Sequence, residues 1–345
     1  MKKLLIIATL ASVSFSALAA SWDDIKPSAD FRYRLENSKD EFKSEGQSRQ
    51  RLRARLGLKY KIDDSTSIKV RLATAASSAT STNDTLGDST SPGGANTVYF
   101  DRAFIAHKAG DISVNMGRMK FPMFKAGSSQ MIFDGDFNPE GIHAGYKWQG
   151  VYINLASFWY EENKAKATDD GLDVTITSSQ LGYAGESGDF KYNIGASNYH
   201  YENAHAVGTF GDEGMNILEA YLELKWKKVT LFYSATVNNE AEEDNTANIV
   251  GVSYGKTKVK GDWKLGANIR TVELNALNAK LMDGDFAGQT ADSTGTILYG
   301  KYMTTDSAYL SFGLFNNTKN ADEKADVSRE SEAYTKMQFD YGVKF

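Results

Sequence analysis

The sequence predicts an all-β fold, a transmembrane antiparallel β-barrel of about sixteen strands with short periplasmic turns and long extracellular loops. Three observations predict it. Hydrophobicity alternates with period two along most of the chain, the intervening connections are short and long by turns, and a polar but aromatic-rich chain follows an export leader.

In a strand, successive side chains point to opposite faces, so one apolar and one wet face appear as strict alternation. Leu52, Ala54, Leu56, Leu58 and Tyr60 share one face of a predicted strand, and Arg51, Arg53, Arg55 and Lys59 share the other. A helix would scatter those charges around its circumference. The last segment repeats the pattern, with Ala333, Thr335, Met337, Phe339, Tyr341, Val343 and Phe345 alternating with Tyr334, Lys336, Gln338, Asp340, Gly342 and Lys344. Segments 218–226, 229–237, 263–270 and 308–314 read the same way. Sixteen segments qualify: 29–37, 50–60, 67–75, 97–108, 111–119, 141–148, 151–160, 174–184, 190–200, 217–226, 229–238, 248–256, 263–273, 294–303, 307–316 and 331–345. Most are near the ~9–11 residues a tilted strand needs to cross a bilayer.

Short connections fall near 62–66, 109–110, 149–150, 185–189, 227–228, 257–262 and 304–306; long ones near 38–49, 76–96, 120–140, 161–173, 201–216, 239–247, 274–293 and 317–330. Sixteen strands with both termini on the periplasmic side require seven short turns and eight long loops, which is the number read here. The four prolines, Pro27, Pro92, Pro122 and Pro139, fall before the first predicted strand or in long loops. Proline has no N–H for a ladder, so a closed barrel excludes it from strand interiors.

Lys2 and Lys3, the apolar run from Leu4 to Leu10 and the small-x-small site Ala17-Leu18-Ala19 form a signal peptide over residues 1–19, leaving 20–345 as a single barrel domain. Its removal takes two lysines and no acids, moving the net charge from −5 to −7. That balance lacks the basic excess of a nucleic-acid binder. With no cysteine, the fold must close by hydrogen bonding and burial alone. No later run reaches the roughly 18 apolar residues of a spanning helix. Mean hydropathy is −0.44 although aromatics are 12% of the chain, which suits a wet lumen inside a greasy outer band.

The segment VYFDRAFIAHKAGDISVNMGRMKFPMF (98–124), followed by MIFDGDFNPEGIHAGYKW (131–148), carries a family resemblance. It resembles the Putative porin families of Gram-negative bacteria, in which a strand with Asp-Arg-Ala and another with Gly-Arg-x-Lys precede a loop ending in Asn-Pro-Glu-Gly. The resemblance implies an outer-membrane channel for passive diffusion of ions and small hydrophilic solutes, with no cofactor and no chemistry on the solute. It also implies a homotrimer and a third long loop, here 120–140, folded into the pore as a constriction.

The expected pore wall is basic. Arg32, Arg34, Arg51, Arg53, Arg55, Lys69 and Arg71 lie on the non-lipid face of the first three strands, and Arg118 and Lys120 lead into the third loop. That loop carries Asp134, Asp136 and Glu140, the expected acidic side of the constriction. Charges across a narrow gap with low-dielectric flanks focus potential on a passing ion. Pairing of these arginines with neighbouring acids in a structural network is the alternative. Phe345 closes the outward series of the last strand and is expected to be an assembly signal read by the outer-membrane insertion machinery.

Trp22, Trp148, Trp159, Trp226 and Trp263 fall near strand ends, as in an interfacial girdle against lipid and lipopolysaccharide. The chain has no Gly-x-Ser-x-Gly elbow and no His-x-x-x-His pair, and of its four histidines only His143, near the third loop, is placed to act as a base. Asp169/Asp170/Asp173, Glu242/Glu243/Asp244 and Asp283/Asp285 read as solvated loop charge rather than calcium ligands, since none has the spacing of an EF-hand loop. The expectation is therefore a channel, not an enzyme. A structural or adhesive barrel with a blocked lumen, and more remotely a barrel enzyme, stand as alternatives.

Overall fold

A computed structural model describes residues 22–41, 43, 45–74, 79–87, 97–162, 173–204, 214–320 and 330–345. The expected signal peptide (1–19), much of the loop at 76–96, Asp169, Asp170 and His205 lie outside the described residues. Strands run in the order β1 (Ile25–Asp40), β2 (Gln47–Lys61), β3 (Thr66–Thr74), β4 (Asp84–Thr85), β5 (Val98–Ala109), β6 (Ile112–Arg118), β7 (Glu140–Trp148), β8 (Val151–Glu161) and β9 (Val174–Ser187). They continue with β10 (Phe190–Glu202), β11 (Met215–Trp226), β12 (Val229–Asn238), β13 (Thr246–Gly255), β14 (Trp263–Val272), β15 (Ser293–Met303), β16 (Ala308–Lys319) and β17 (Glu332–Lys344). The two-residue β4 pairs with β2 at Arg51 and Leu52, beyond the stretch of β2 that pairs with β3. The other sixteen each pair antiparallel with their neighbours, and β17 returns to β1 with Arg32 opposite Gly342 and Tyr33 opposite Tyr341. The barrel is closed, so no sheet edge is left to aggregate.

The ends of β1 differ from the sequence reading. The strand includes Pro27, which was expected to precede it. Ala29 directs its N–H and C=O to Phe345, at the end of β17. Pro27, two residues earlier and on the same side, points past the end of that neighbour, so its missing N–H leaves no ladder bond unmade. β1 and β2 also extend toward each other, shortening the first long loop to residues 41–46.

The outer face is apolar: Leu56, Ile105, Ile142, Leu155, Leu181, Ile194, Leu231, Val250, Ile269, Leu298 and Phe339 are all exposed. An apolar outer surface of this kind is consistent with a bilayer around the barrel. Trp148, Phe190, Trp226, Tyr254, Trp263 and Tyr302 gather where the strands meet the short turns, with Phe190 stacked on Trp226 at 6.1 Å. The β7–β8 turn shows why such turns are tight: Gln149 and Gly150 have φ of 47° and 88°, two left-handed residues in succession whose twist matches the flanking strands.

The interior is not wet throughout. Two long loops, L3 (residues 119–139) and L7 (residues 273–292), turn inward and share an apolar cluster with one side of the wall. Met119, Phe121, Met131 and Phe133 of L3 and Leu277, Leu281 and Met282 of L7 are buried against Phe158, Ile176, Tyr199, Ile217 and Ile249. On that side the inward face of the strands mixes apolar residues that meet the loops with buried polar ones such as Asn154, Gln180, Glu219 and Glu223. Asp283 and Asp285, read as solvated, are correspondingly taken inside: Asp283 pairs with Arg270 at 3.4 Å, and Asp285 with Lys336 at 2.7 Å and Arg34 at 3.3 Å.

Candidate functional site

L3 is held to the wall by more than apolar contact. Gln180 on β9 accepts the Phe124 N–H at 2.9 Å and donates to the Phe124 carbonyl at 2.9 Å, while Glu223 on β11 accepts the Gly127 N–H at 2.8 Å. Gly127 has φ of 62°, and a Cβ there would enter the Phe232 ring, so only glycine lets the loop approach β12 this closely. L3 is also joined to L7: the Asp134 N–H donates to the Leu281 carbonyl at 2.7 Å and the Asp283 N–H to the Gln130 carbonyl at 3.1 Å.

The two loops fill one side of the barrel, and a cavity of about 630 Å³ remains against the opposite wall. Its wall is basic. Arg32 and Arg34 of β1, Arg49, Arg51, Arg53 and Arg55 of β2, Arg71 of β3 and Arg102 of β5 line it, together with Lys120, Lys336 and Lys344. Asp134, Asp136 and Asp285 face them from the loops.

Alternation produces the wall: Arg49, Arg51, Arg53 and Arg55 share one side of β2, and Arg32 and Arg34 lie directly opposite Arg53 and Arg51. Like charges this close repel unless acids sit between them. Asp30 bridges Arg53 (2.7 Å) and Arg55 (3.1 Å). Glu36 pairs with Arg49, and lies 3.6 Å from both Arg51 and Lys336. Asp340 takes a two-point contact from Arg34, at 2.7 and 3.1 Å. Across the gap Asp136 meets Arg55 at 3.0 Å. The basic wall facing an acidic loop and the paired network, posed as alternatives, are thus combined.

The loop acids differ in protonation. Burial, then the nearby Asp283, pushes Asp134 above the usual carboxylate range. Its oxygens accept the Asp136 N–H at 2.6 Å and the Gly284 N–H at 3.3 Å. Burial alone would raise Asp136 as well, but Arg53, Arg55 and Arg32 outweigh it and hold this carboxyl below its ordinary value. Asp285 is likewise held low by Lys336 and Arg34 against the effect of burial.

Of the residues expected at the pore, Arg32, Arg34, Arg51, Arg53, Arg55, Arg71, Lys120, Asp134 and Asp136 meet in this cavity. Arg118 and Glu140 do not. Arg118 lies opposite Ala103, on the outward register of Met116 and Ile142, and forms an ion pair with Glu140 at the loop end of the barrel. Pairing at the rim, beyond the apolar band, lets two charges occupy the outer face. Phe345 is exposed, its backbone bonded to Ala29. His143 is buried between Asn115 (3.1 Å) and Asn154 (3.1 Å), a satisfied structural histidine rather than a poised base.

Sequence reasoning missed Arg49, Arg102, Lys336, Lys344 and Asp285 as cavity residues. Arg49 continues the parity of Arg51, and Lys336 and Lys344 lie on the polar face of the last strand, so these three could have been read. Arg102 could not: a β-bulge between Arg71 and Leu72 slips the register by one and brings both Asp101 and Arg102 inward.

Comparisons with known proteins agree with this architecture. No curated protein sequence matches the chain. Among solved structures, OprB of Pseudomonas putida at high pH aligns over 93% of this chain and 94% of its own, with a TM-score of 0.62 at 12% identity. A mutant Rh. blastica porin aligns over 93% and 100%, with a TM-score of 0.56 at 12% identity. An OmpT of Vibrio cholerae lacking loop L8 aligns over 94% and 100%, with a TM-score of 0.50 at 13% identity. At these identities the likeness is one of fold. The family model described as Putative porin matches residues 33–207, just over half of the sequence and including the Asp-Arg-Ala to Asn-Pro-Glu-Gly stretch, and the chain belongs to that family.

Proposed function

We propose that this porin passes ions and small hydrophilic solutes passively across the outer membrane, with L3 narrowing the path and the cavity between L3 and the arginine wall as its selective zone. The observation that supports the reading is the Asp136–Arg55 contact at 3.0 Å, an ion pair between L3 and the arginine wall. The cavity lining carries eight arginines and three lysines against three aspartates. Even with the four wall acids Asp30, Glu36, Asp101 and Asp340 counted, positive charge is in surplus. The path therefore favours anions. Export through a cleaved signal peptide, recognition of Phe345 during assembly, contact with lipid and lipopolysaccharide, and a homotrimeric state belong to the same proposal.

The protonation difference within L3 supplies a test. Asp136 carries charge and Asp134 holds its proton to higher pH, so Asp136→Asn should shift the reversal potential in a salt gradient further toward anions. One charge at about 7 Å in water is worth about RT, so each ion's permeability should change roughly two- to threefold, upward for anions and downward for cations. Asp134→Asn should change little at a pH below its elevated pKa. Above it, the wild type gains a negative charge the variant lacks, so wild-type selectivity moves toward cations as pH rises. Equal effects of the two variants at acidic pH would contradict this assignment.

A further inference from the structure

Nine of the eleven basic residues lining the cavity have a carboxylate within 4 Å, whereas Arg102 and Lys120 have none among the described residues. These two sit together beside Arg71. The bulge in β5 sets Arg102 directly opposite Arg71, a like-charged pair that a sheet does not adopt for stability. The carboxylate at this place, Asp101, is taken by Arg71, and it also accepts from the Asn138 amide at 2.7 Å. Arg102 is left with a neutral partner, its Nε donating to the Asn138 side-chain oxygen Oδ1 at 2.7 Å. Its two terminal nitrogens carry no hydrogen bond among the described residues. Lys120, at the start of L3, is exposed to the cavity. Partial burial, then the nearby Arg102 and Arg71, lowers its pKa.

Elsewhere in this wall each positive group has a carboxylate within 4 Å; here Arg102 and Lys120 have none among the described residues and the nearby Asp101 is engaged by Arg71, in a cavity large enough for a small solute. Such a concentration is costly unless an anion completes it. We propose that Arg71, Arg102 and Lys120 form a binding subsite for small doubly charged oxyanions, phosphate or dicarboxylate, on the permeation path. The guanidinium of Arg102 offers a planar fork for two oxygens and Lys120 a point charge that can follow the solute. A dianion gains from both at once, whereas chloride gains only from the local potential. The subsite rests on the channel reading and specifies the solute class it serves.

The test is block of chloride current by inorganic phosphate in planar bilayers, at fixed chloride, fixed ionic strength and pH 7.5. Wild-type channels should show a saturable fall in current. Losing one charge-assisted contact should raise the half-blocking concentration roughly tenfold in Lys120→Gln and in Arg102→Gln. Lys264→Gln, which removes a lumen cation lying outside this cavity, should leave it unchanged. Succinate should compete with phosphate for the same block. If Arg102→Gln fails to insert, Lys120→Gln still decides, because that side chain is exposed on a loop. Open channels with no saturable block, or an equal change in Lys264→Gln, would overturn the subsite and leave the channel reading intact. Absence of channels from correctly folded wild-type protein would overturn both.

Discussion

Excising residues 123–136 and closing the gap with a short Gly-Ser linker is expected to raise single-channel conductance roughly two- to threefold, because a sixteen-stranded barrel is wide enough for an aqueous channel and L3 is one of two loops filling it. The base of the loop is already closed, since the Met119 N–H donates to the Pro139 carbonyl at 2.9 Å, so the linker need not strain the wall. The deletion also removes Asp134 and Asp136, so the wider channel should favour anions more strongly at low salt. It exposes Phe158, Ile176 and Tyr199, which now meet L3, and the variant should therefore melt at lower temperature. Channels of unchanged conductance from folded protein would mean that L3 does not limit the path.

The second large effect concerns stability. Arg34 is 6% exposed and contacts Asp340 at 2.7 Å, Asp285 at 3.3 Å and Glu36 at 3.7 Å, joining β1 to β17 and tethering L7. Arg34→Met keeps much of the apolar stem but leaves these buried carboxylates short of a cation. Breaking a buried pair from one side typically costs about 3–5 kcal/mol. The variant should unfold at clearly lower temperature in detergent, followed by loss of β-sheet circular dichroism. Restoring neutrality with Arg34→Met plus Asp340→Asn should recover part of the loss, because the remaining carboxylates still have Lys336. A melting temperature equal to wild type in the single variant would show that water already solvates this network.

Strand number and the alternation of turns and loops were legible because lipid outside and water or charge inside impose period two on the chain, and because proline and glycine punctuate it. Arg32, Arg34, Arg51, Arg53 and Arg55 were legible for the same reason, since parity alone assigns a charged side chain to the interior. Parity failed at the β5 bulge, which brought in Arg102, and at the rim, where Arg118 and Glu140 neutralise each other on the outer face. L7 was read as an ordinary loop although it carries Ala276, Leu277, Leu281, Met282 and Phe286, all of them buried. So many apolar residues in a connection are unfavourable in water, and that was the available signal for a second inward loop. The partners of Asp285 were beyond reach, because Arg34 and Lys336 are brought to it only by closure of β17 onto β1.

The measurement that bears most directly on the channel itself is the conductance of purified, folded wild-type protein in planar lipid bilayers across a series of potassium chloride concentrations. Discrete ohmic steps are expected, growing with salt but exceeding strict proportionality at low salt. There the screening length of about 10 Å at 0.1 M lets the arginine wall concentrate anions. In a salt gradient the reversal potential should have the sign of chloride permeation. Folded protein that inserts without conducting would contradict the account, and would mean that L3 and L7 together seal the barrel.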